Sequence, residues 1–376
     1  MRIDVYVTVW GKAYVEKFLT YSLASQLSPG NLPAISRETE LVYHVYTDRA
    51  SEAHFYPAIE RLRTLVDVKF RFYEDMPFRG GTLAEAIAAS GSASVKHNVQ
   101  RLTSRDLLIA AVKAGSAAVV LLDSDFIFAD GAWPTLIAAH RDGARAVCAM
   151  FLRLAQEAAE PRLAGRLDSG IAPRALVALG LEALHPLARA MFVDAEPFTA
   201  YPSQLNWWVG THGFVTHCFF PHPLLVVPQG GVNYSGTMDY EYALRAVGDD
   251  AAIHLVRSSD ELLVCKMTPA AYNADVTGAA PPNIADLGRF VVSNTNIRHR
   301  LFMRQPIRFV AGGSENDWVD VEQHAARFVE AIYKAAELVV AGARTDARTM
   351  VFLKSFLGPI EDFLAPQTAA RLKGWM

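Results

Sequence analysis

Two aspartates one residue apart, Asp123 and Asp125, interrupt an apolar run in the stretch VVLLDSDFIF, residues 119 to 128. In a strand, residues i and i+2 project to the same side, so the two carboxylates stand together where the strand finishes. Buried side by side they repel unless a cation neutralises them or water reaches them. A hard divalent cation, Mg2+ or Mn2+, ligates oxygen and completes its shell with water and phosphate oxygens, which suits such a pair. Bound to a diphosphate, the ion also stabilises charge on a departing group. The plainer reading is that the acids cap the turn before GAW or bind a surface lysine.

A second acidic pair, Asp239 and Glu241 in SGTMDYEYALRAV, opens a short amphipathic helix after a glycine-containing loop. Acids there cap free N–H groups and are favoured by the helix dipole, which is a complete structural explanation in itself.

The elements that must position these acids follow from periodicity. IDVYVTV (3 to 9) is a β-branched strand, and 13 to 27 places Val15, Phe18, Leu19, Ser22 and Leu23 on one helical face. ELVYHVYTD (40 to 48) is a second strand, 52 to 66 reads as helical despite Pro57, and 66 to 73 alternates with period two. A long helix is expected over 96 to 115, closed by Gly115 with Lys113 in its last turn. AAVVLL (117 to 122) is apolar on both faces, as a central strand covered on both sides must be. Strand and helix alternate, which predicts an open α/β sheet. Such sheets bind ligands beyond the carboxyl ends of their strands, where Asp123 and Asp125 fall.

Residues 173 to 190 read as helical, and 201 to 236 read as binding loops, dense in aromatics, histidine, glycine and proline, around one strand, LLVVP. Two long helical patterns, 317 to 341 and 345 to 363, close the chain, either packed on the rest or pairing two subunits into a homodimer.

With 376 residues and 51% apolar content, the chain can build one large domain with additions or two ordinary ones. A formal net charge of -3 offers no global field for nucleic acid. Cys148, Cys218 and Cys265 are odd in number and form no CxxC pair, so neither a disulfide framework nor a cysteine zinc site is expected, and a reducing cytoplasm fits. No signal peptide and no transmembrane span is expected, while peripheral contact with a membrane stays open.

The loop TVWGKAYV, the strand ending YTD, the long helix before LLDSD and the later GTMDYEYALRA together resemble the metal-dependent glycosyltransferases of the GT-A fold, over roughly residues 1 to 300. The resemblance implies a Rossmann-like open mixed sheet flanked by helices, with a C-terminal helical extension. It implies a GT-A-like catalytic domain over 1–310, with a nucleotide-sugar half to 150 and an acceptor half over 151–310, and the extension over 311–376. It further implies transfer of a sugar from a nucleotide-sugar donor, a UDP-sugar first, to a hydroxyl on a saccharide or glycolipid acceptor. Asp123 and Asp125, with Ser124 between them, would hold Mn2+ or Mg2+ on the diphosphate. Thr8, Trp10, Thr47 and Asp48 would contact base and ribose, Asp48 being equally suited to cap the next helix, and Arg101 and Arg105 on the helix before the motif would bring a cation near the donor or form a solvated face paired with Asp106 or nearby acids. Asp239, then Glu241, is the candidate base for an inverting transfer, and His299 the candidate third metal ligand, with His254 behind it. Trp207, Trp208, His212, His217 and His222 would floor the acceptor site or pack in the core.

Two rivals share parts of this pattern. VVLLDSDFI with VGDD (247 to 250) resembles a haloacid-dehalogenase-like phosphatase, in which the first aspartate is a nucleophile. A binding protein that keeps the fold without turnover is the other.

Overall fold

The computed structural model describes residues 1–90, 92–272 and 283–343. In chain order the strands are β1 (Arg2–Thr8), β2 (Glu40–Thr47), β3 (Asp67–Phe72), the small hairpin β4 (Pro77–Phe78) and β5 (Gly81–Thr82), β6 (Ala118–Leu122) and β7 (Phe126–Phe128). There follow β8 (Ala146–Ala149), β9 (Phe151–Ala155), β10 (Gln204–Trp208), β11 (Gly213–Cys218), β12 (His222–Val226), β13 (Ile253–Leu255), β14 (Val264–Thr268) and β15 (Ile307–Val310).

The chain divides into two compact units. The first holds Met1–Leu184 and Pro221–Pro269. Its main sheet runs β13-β8-β12-β6-β1-β2-β3. Neighbours are parallel except β12, which lies antiparallel between β8 and β6, so the sheet is open and mixed, as expected. All five residues of β6 are buried, which accounts for its unbroken apolar run. The helix Ser92–Ala114 ends where Gly115 takes a φ of 68°, the left-handed stop that glycine adopts without strain. The region expected as one helix over 52 to 66 is two pieces, a 3-10 helix Arg49–Phe55 and an α-helix Ala58–Arg63, because Pro57 supplies no N–H to join them. A second sheet, β7-β14-β9, sits in the same unit, with β14 antiparallel to β7 and parallel to β9.

The second unit takes His185–Phe220 and the described residues from Ala270 onward. Here β10, β11 and β15 form an antiparallel sheet. The helices Ile284–Asn294 and Glu315–Ala343 pack against each other at Gly288, where an added Cβ would come within 2.8 Å of Ala335 and of the Ala336 backbone. The boundary expected at 310 therefore falls inside this unit: β15 completes its sheet, and the long helix packs on β10 and β11. The boundary expected at 150 likewise falls inside the first unit. Within residues 201 to 236, expected as binding loops around one strand, Gln204–Trp208 and Gly213–Cys218 instead form the antiparallel pair β10 and β11. The helix expected over 345 to 363 lies outside the described residues. Among the described residues, no helix is long and apolar enough to cross a membrane.

Candidate functional site

β1 hands the chain to β2 on one side, while β6 returns on the other, so the strand order reverses between β1 and β6. In open α/β sheets, the crevice beyond the carboxyl ends at such a point is where ligands bind. Thr8 ends β1, and Asp123 directly follows β6.

Asp123 is 9% exposed and has both oxygens engaged. Gln100, from the helix Ser92–Ala114, donates to Oδ1, and the Lys266 ammonium donates to Oδ2. The same ammonium lies 3.9 Å from Asp125 Oδ1. Lys266 reaches this place because β14 pairs with β7 in a register that sets Lys266 opposite Phe126, the residue after Asp125. On its other side β14 sets Lys266 beside Arg153 of β9. The repulsion between the two acids is thus relieved by a lysine 143 positions further along the chain.

The charges respond accordingly. Burial pushes the Asp123 carboxyl up, but Lys266, His222 and the bonds from Lys266 and Gln100 reverse this and hold it below the usual carboxylate range. For Asp125, burial raises the pKa, Asp123 adds to that, and Lys266 only partly offsets it, so the net shift is upward. Burial pulls Lys266 down, yet the two acids more than compensate and keep it firmly charged.

Asp239 sits in the first turn of the helix Met238–Ala246. It does not cap that helix: His222 Nδ1 lies 2.8 Å from its Oδ1, while His222 Nε2 lies 2.9 Å from the Leu121 carbonyl oxygen on β6. One buried imidazole therefore joins the second acidic motif to the strand that carries the first. Burial lowers the His222 pKa, and the bond and charge of Asp239 outweigh it, so the net shift is upward. Glu241 is occupied by Arg245 one helical turn on.

The remaining expected residues separate. Thr8 Oγ1 is 2.6 Å from the Tyr73 hydroxyl, and Trp10 packs edge-on against the Tyr73 ring. Thr47 Oγ1 is buried and has no hydrogen-bond partner among the described residues, and the same holds for Arg101 Nε. Asp48 is an N-cap, its Oδ1 accepting from Ser51 N at 2.7 Å. Ser124 lies in the turn between the acids. His254 Nε2 pairs with Glu261 at 2.5 Å. His299 belongs to the second unit, where its Nδ1 accepts from Asn296 N and its own N–H donates to the Asn296 side chain, a reciprocal capping box for the helix Ile297–Met303. The expected aromatic floor is split: Trp207 is buried and Trp208 stacks on Phe192 in the second unit, while His222 belongs to the first.

Lys266, Gln100 and the His222 partnership were not among the expected site residues. Periodicity carries no trace of them, since each meets the acids through tertiary pairing. Lys266 in VCKMT was legible only as a charge inside an apolar strand, a pattern that asks for a buried partner.

A divalent ion at Asp123 and Asp125 needs carboxylate oxygens turned to a common vacant point. Asp123 offers none, a buried ammonium stands at the place, and among the described residues no group of three His, Cys, Asp or Glu side chains is gathered to hold a metal. As the side chains stand, the pair does not fit Mg2+ or Mn2+.

Neither a protein family nor a curated protein matches the sequence. Among solved structures the chain is similar to TarS 1–349 of S. aureus in complex with UDP, at 17% identity over 41% of this chain and 36% of that one, with a TM-score of 0.25. It is also similar to the galactosyltransferase LgtC in complex with donor and acceptor sugar analogs, at 16% identity over 40% and 47%, with a TM-score of 0.22. A third is the mannosyltransferase PcManGT from Pyrobaculum calidifontis in complex with GDP-Man and Mn2+, at 13% identity over 100% and 87%, with a TM-score of 0.29. The chain spans 36% of the length of the TarS structure. Likenesses this slight carry no argument about chemistry, which rests on the strand ends.

Proposed function

We propose that the protein is a glycosyltransferase of GT-A type, moving a sugar from a nucleotide donor, a UDP-sugar first, to a hydroxyl of a saccharide or glycolipid. The observation that carries this reading is the acid pair Asp123 and Asp125 beyond the carboxyl end of β6, at the reversal of strand order. The nucleoside would lie over the ends of β1 and β2. Thr8 and Trp10, both beside Tyr73, would border it there.

Asp239 is the candidate base on the acceptor side, tied through His222 to the β6 backbone. In an inverting transfer, the acceptor oxygen forms its bond to the anomeric carbon as the bond to the diphosphate oxygen breaks. The acceptor proton passes to the Asp239 carboxylate, and the nucleoside diphosphate leaves. Glu241, bound to Arg245, is the weaker candidate.

The phosphatase reading asks Asp123 to be a nucleophile with a free oxygen, whereas both of its oxygens accept hydrogen bonds, and Asp249 of the second motif caps a turn through Ala251 N at 2.9 Å. The test is a thermal-shift screen of nucleotide sugars with and without Mn2+, followed by product analysis for the best donor. Stabilisation by a nucleotide sugar together with glycoside formation supports the reading. Stabilisation without transfer leaves a binding protein, and phosphate release from a phosphomonoester overturns the reading.

A further inference from the structure

We propose that Lys266 is the cation this site turns toward the donor pyrophosphate, so that the protein grips a nucleoside diphosphate without a metal ion. The inference rests on the nucleotide-sugar reading of the same crevice and adds to it the chemistry of the grip.

Lys266 is a built part of the site. Its ammonium contacts Asp123, lies 3.9 Å from Asp125, and stands 5.6 Å and 5.3 Å from the ring centroids of Phe126 and Phe151. Two acids and two aromatic faces thus hold one cation, and each of these contacts favours positive charge. A divalent ion entering here would have to eject the ammonium from all four.

The charge count supports the same conclusion. Arg153, paired with Lys266 across β9 and β14, acts electrostatically on both Lys266 and Asp125, and its guanidinium lies 5.2 Å from the Phe151 centroid. Two cations, Lys266 and Arg153, therefore stand on neighbouring strands beside the two acids. An ammonium has three donors, of which Asp123 engages one, and both lysine and arginine bind phosphate oxygens. The acids would then act as the brace that keeps Lys266 charged and in place.

The test is calorimetric titration of the full chain with UDP-glucose and GDP-mannose, and with UDP and GDP alone, in EDTA and in Mn2+. The expected result is affinity in EDTA equal, within about threefold, to that in Mn2+. Lys266→Met should weaken binding in EDTA by about tenfold or more, and Mn2+ should restore part of it, because the acids are then open to an ion. Lys266→Met leaves Asp123 as a buried acid without its partner, so Lys266→Met/Asp123→Asn, which removes that carboxylate and leaves one acid, Asp125, is measured alongside with melting curves for both. It should lose binding in either condition. Wild-type binding that requires Mn2+ overturns the inference while leaving the nucleotide-sugar reading standing. Undiminished binding by either variant in EDTA also overturns it. No binding of any of the four ligands in either condition overturns both.

Discussion

His222 faces an acceptor with each ring nitrogen: Nε2 lies 2.9 Å from the Leu121 carbonyl oxygen, and Nδ1 lies 2.8 Å from Asp239 Oδ1. A carbonyl only accepts, so Nε2 carries a proton, and the second contact needs another proton between Nδ1 and the carboxylate. The contact with Asp239 and its charge favour the protonated imidazole and raise the His222 pKa above its ordinary value, against the opposing effect of burial. A histidine whose folded pKa is raised contributes stability that is complete below its unfolded value of ~6.5 and is lost as pH rises through the folded value. Thermal melts of the wild type and His222→Gln from pH 6 to pH 9 should show the wild-type advantage shrinking as pH rises. An advantage that grows toward alkaline pH would contradict the raised pKa.

If Asp239 accepts the acceptor proton, Asp239→Asn should lower the transfer rate by about 10²–10⁴ while leaving donor affinity unchanged. Glu241→Gln should leave the rate near wild type and remove only a helix-surface pair, worth about 0.3–0.5 kcal/mol. Rate and donor affinity measured side by side check both, and reversal of the two rates would move the base to Glu241.

A different acid carries stability. Asp4, 1% exposed, accepts from His44 Nε2 at 2.8 Å, from Arg2 at 3.1 Å and from Ser116. Burial raises its pKa, and those bonds overcome this and bring it down from 3.8 to about 2. A depressed carboxyl contributes stability above its unfolded pKa and loses it as pH falls through the folded one, here worth about 2 kcal/mol. Asp4→Asn should lose about that much in urea denaturation at neutral pH, and the difference should fade between pH 4 and pH 2.

His299 makes a capping box, so His299→Ala should cost about 1 kcal/mol in thermal or urea unfolding. If its role is the cap, the Mn2+ response of donor binding should be the same in the variant and the wild type. A changed response would return His299 to the metal shell.

Much of the first unit was legible in the sequence because its signals are local. The buried run of β6, the β-branched β1 and the glycine stop after the long helix each follow from a few neighbouring residues. The acids at the strand end were legible for the same reason. What neutralises them was not: Lys266 comes from a strand whose partners are β7 and β9, and that pairing is a register with no local signature. His222 read as one of several loop histidines because nothing in its surroundings announces that β12 is inserted antiparallel between β6 and β8. The pairing of β15 with β11, nearly a hundred residues earlier, is likewise a register with no local signature.

The alternation of β14 leaves this segment little tolerance for a change of length. Adding or deleting one residue just ahead of Val264 would, if the ladder kept its hydrogen bonds, present Cys265 or Met267 in the lysine's stead and turn the ammonium to the opposite face. Homologous chains should accordingly vary here by substitution rather than by single-residue insertion, and a designed one-residue insertion at that point should damage the molecule more than the same insertion in the exposed turn at 248 to 250.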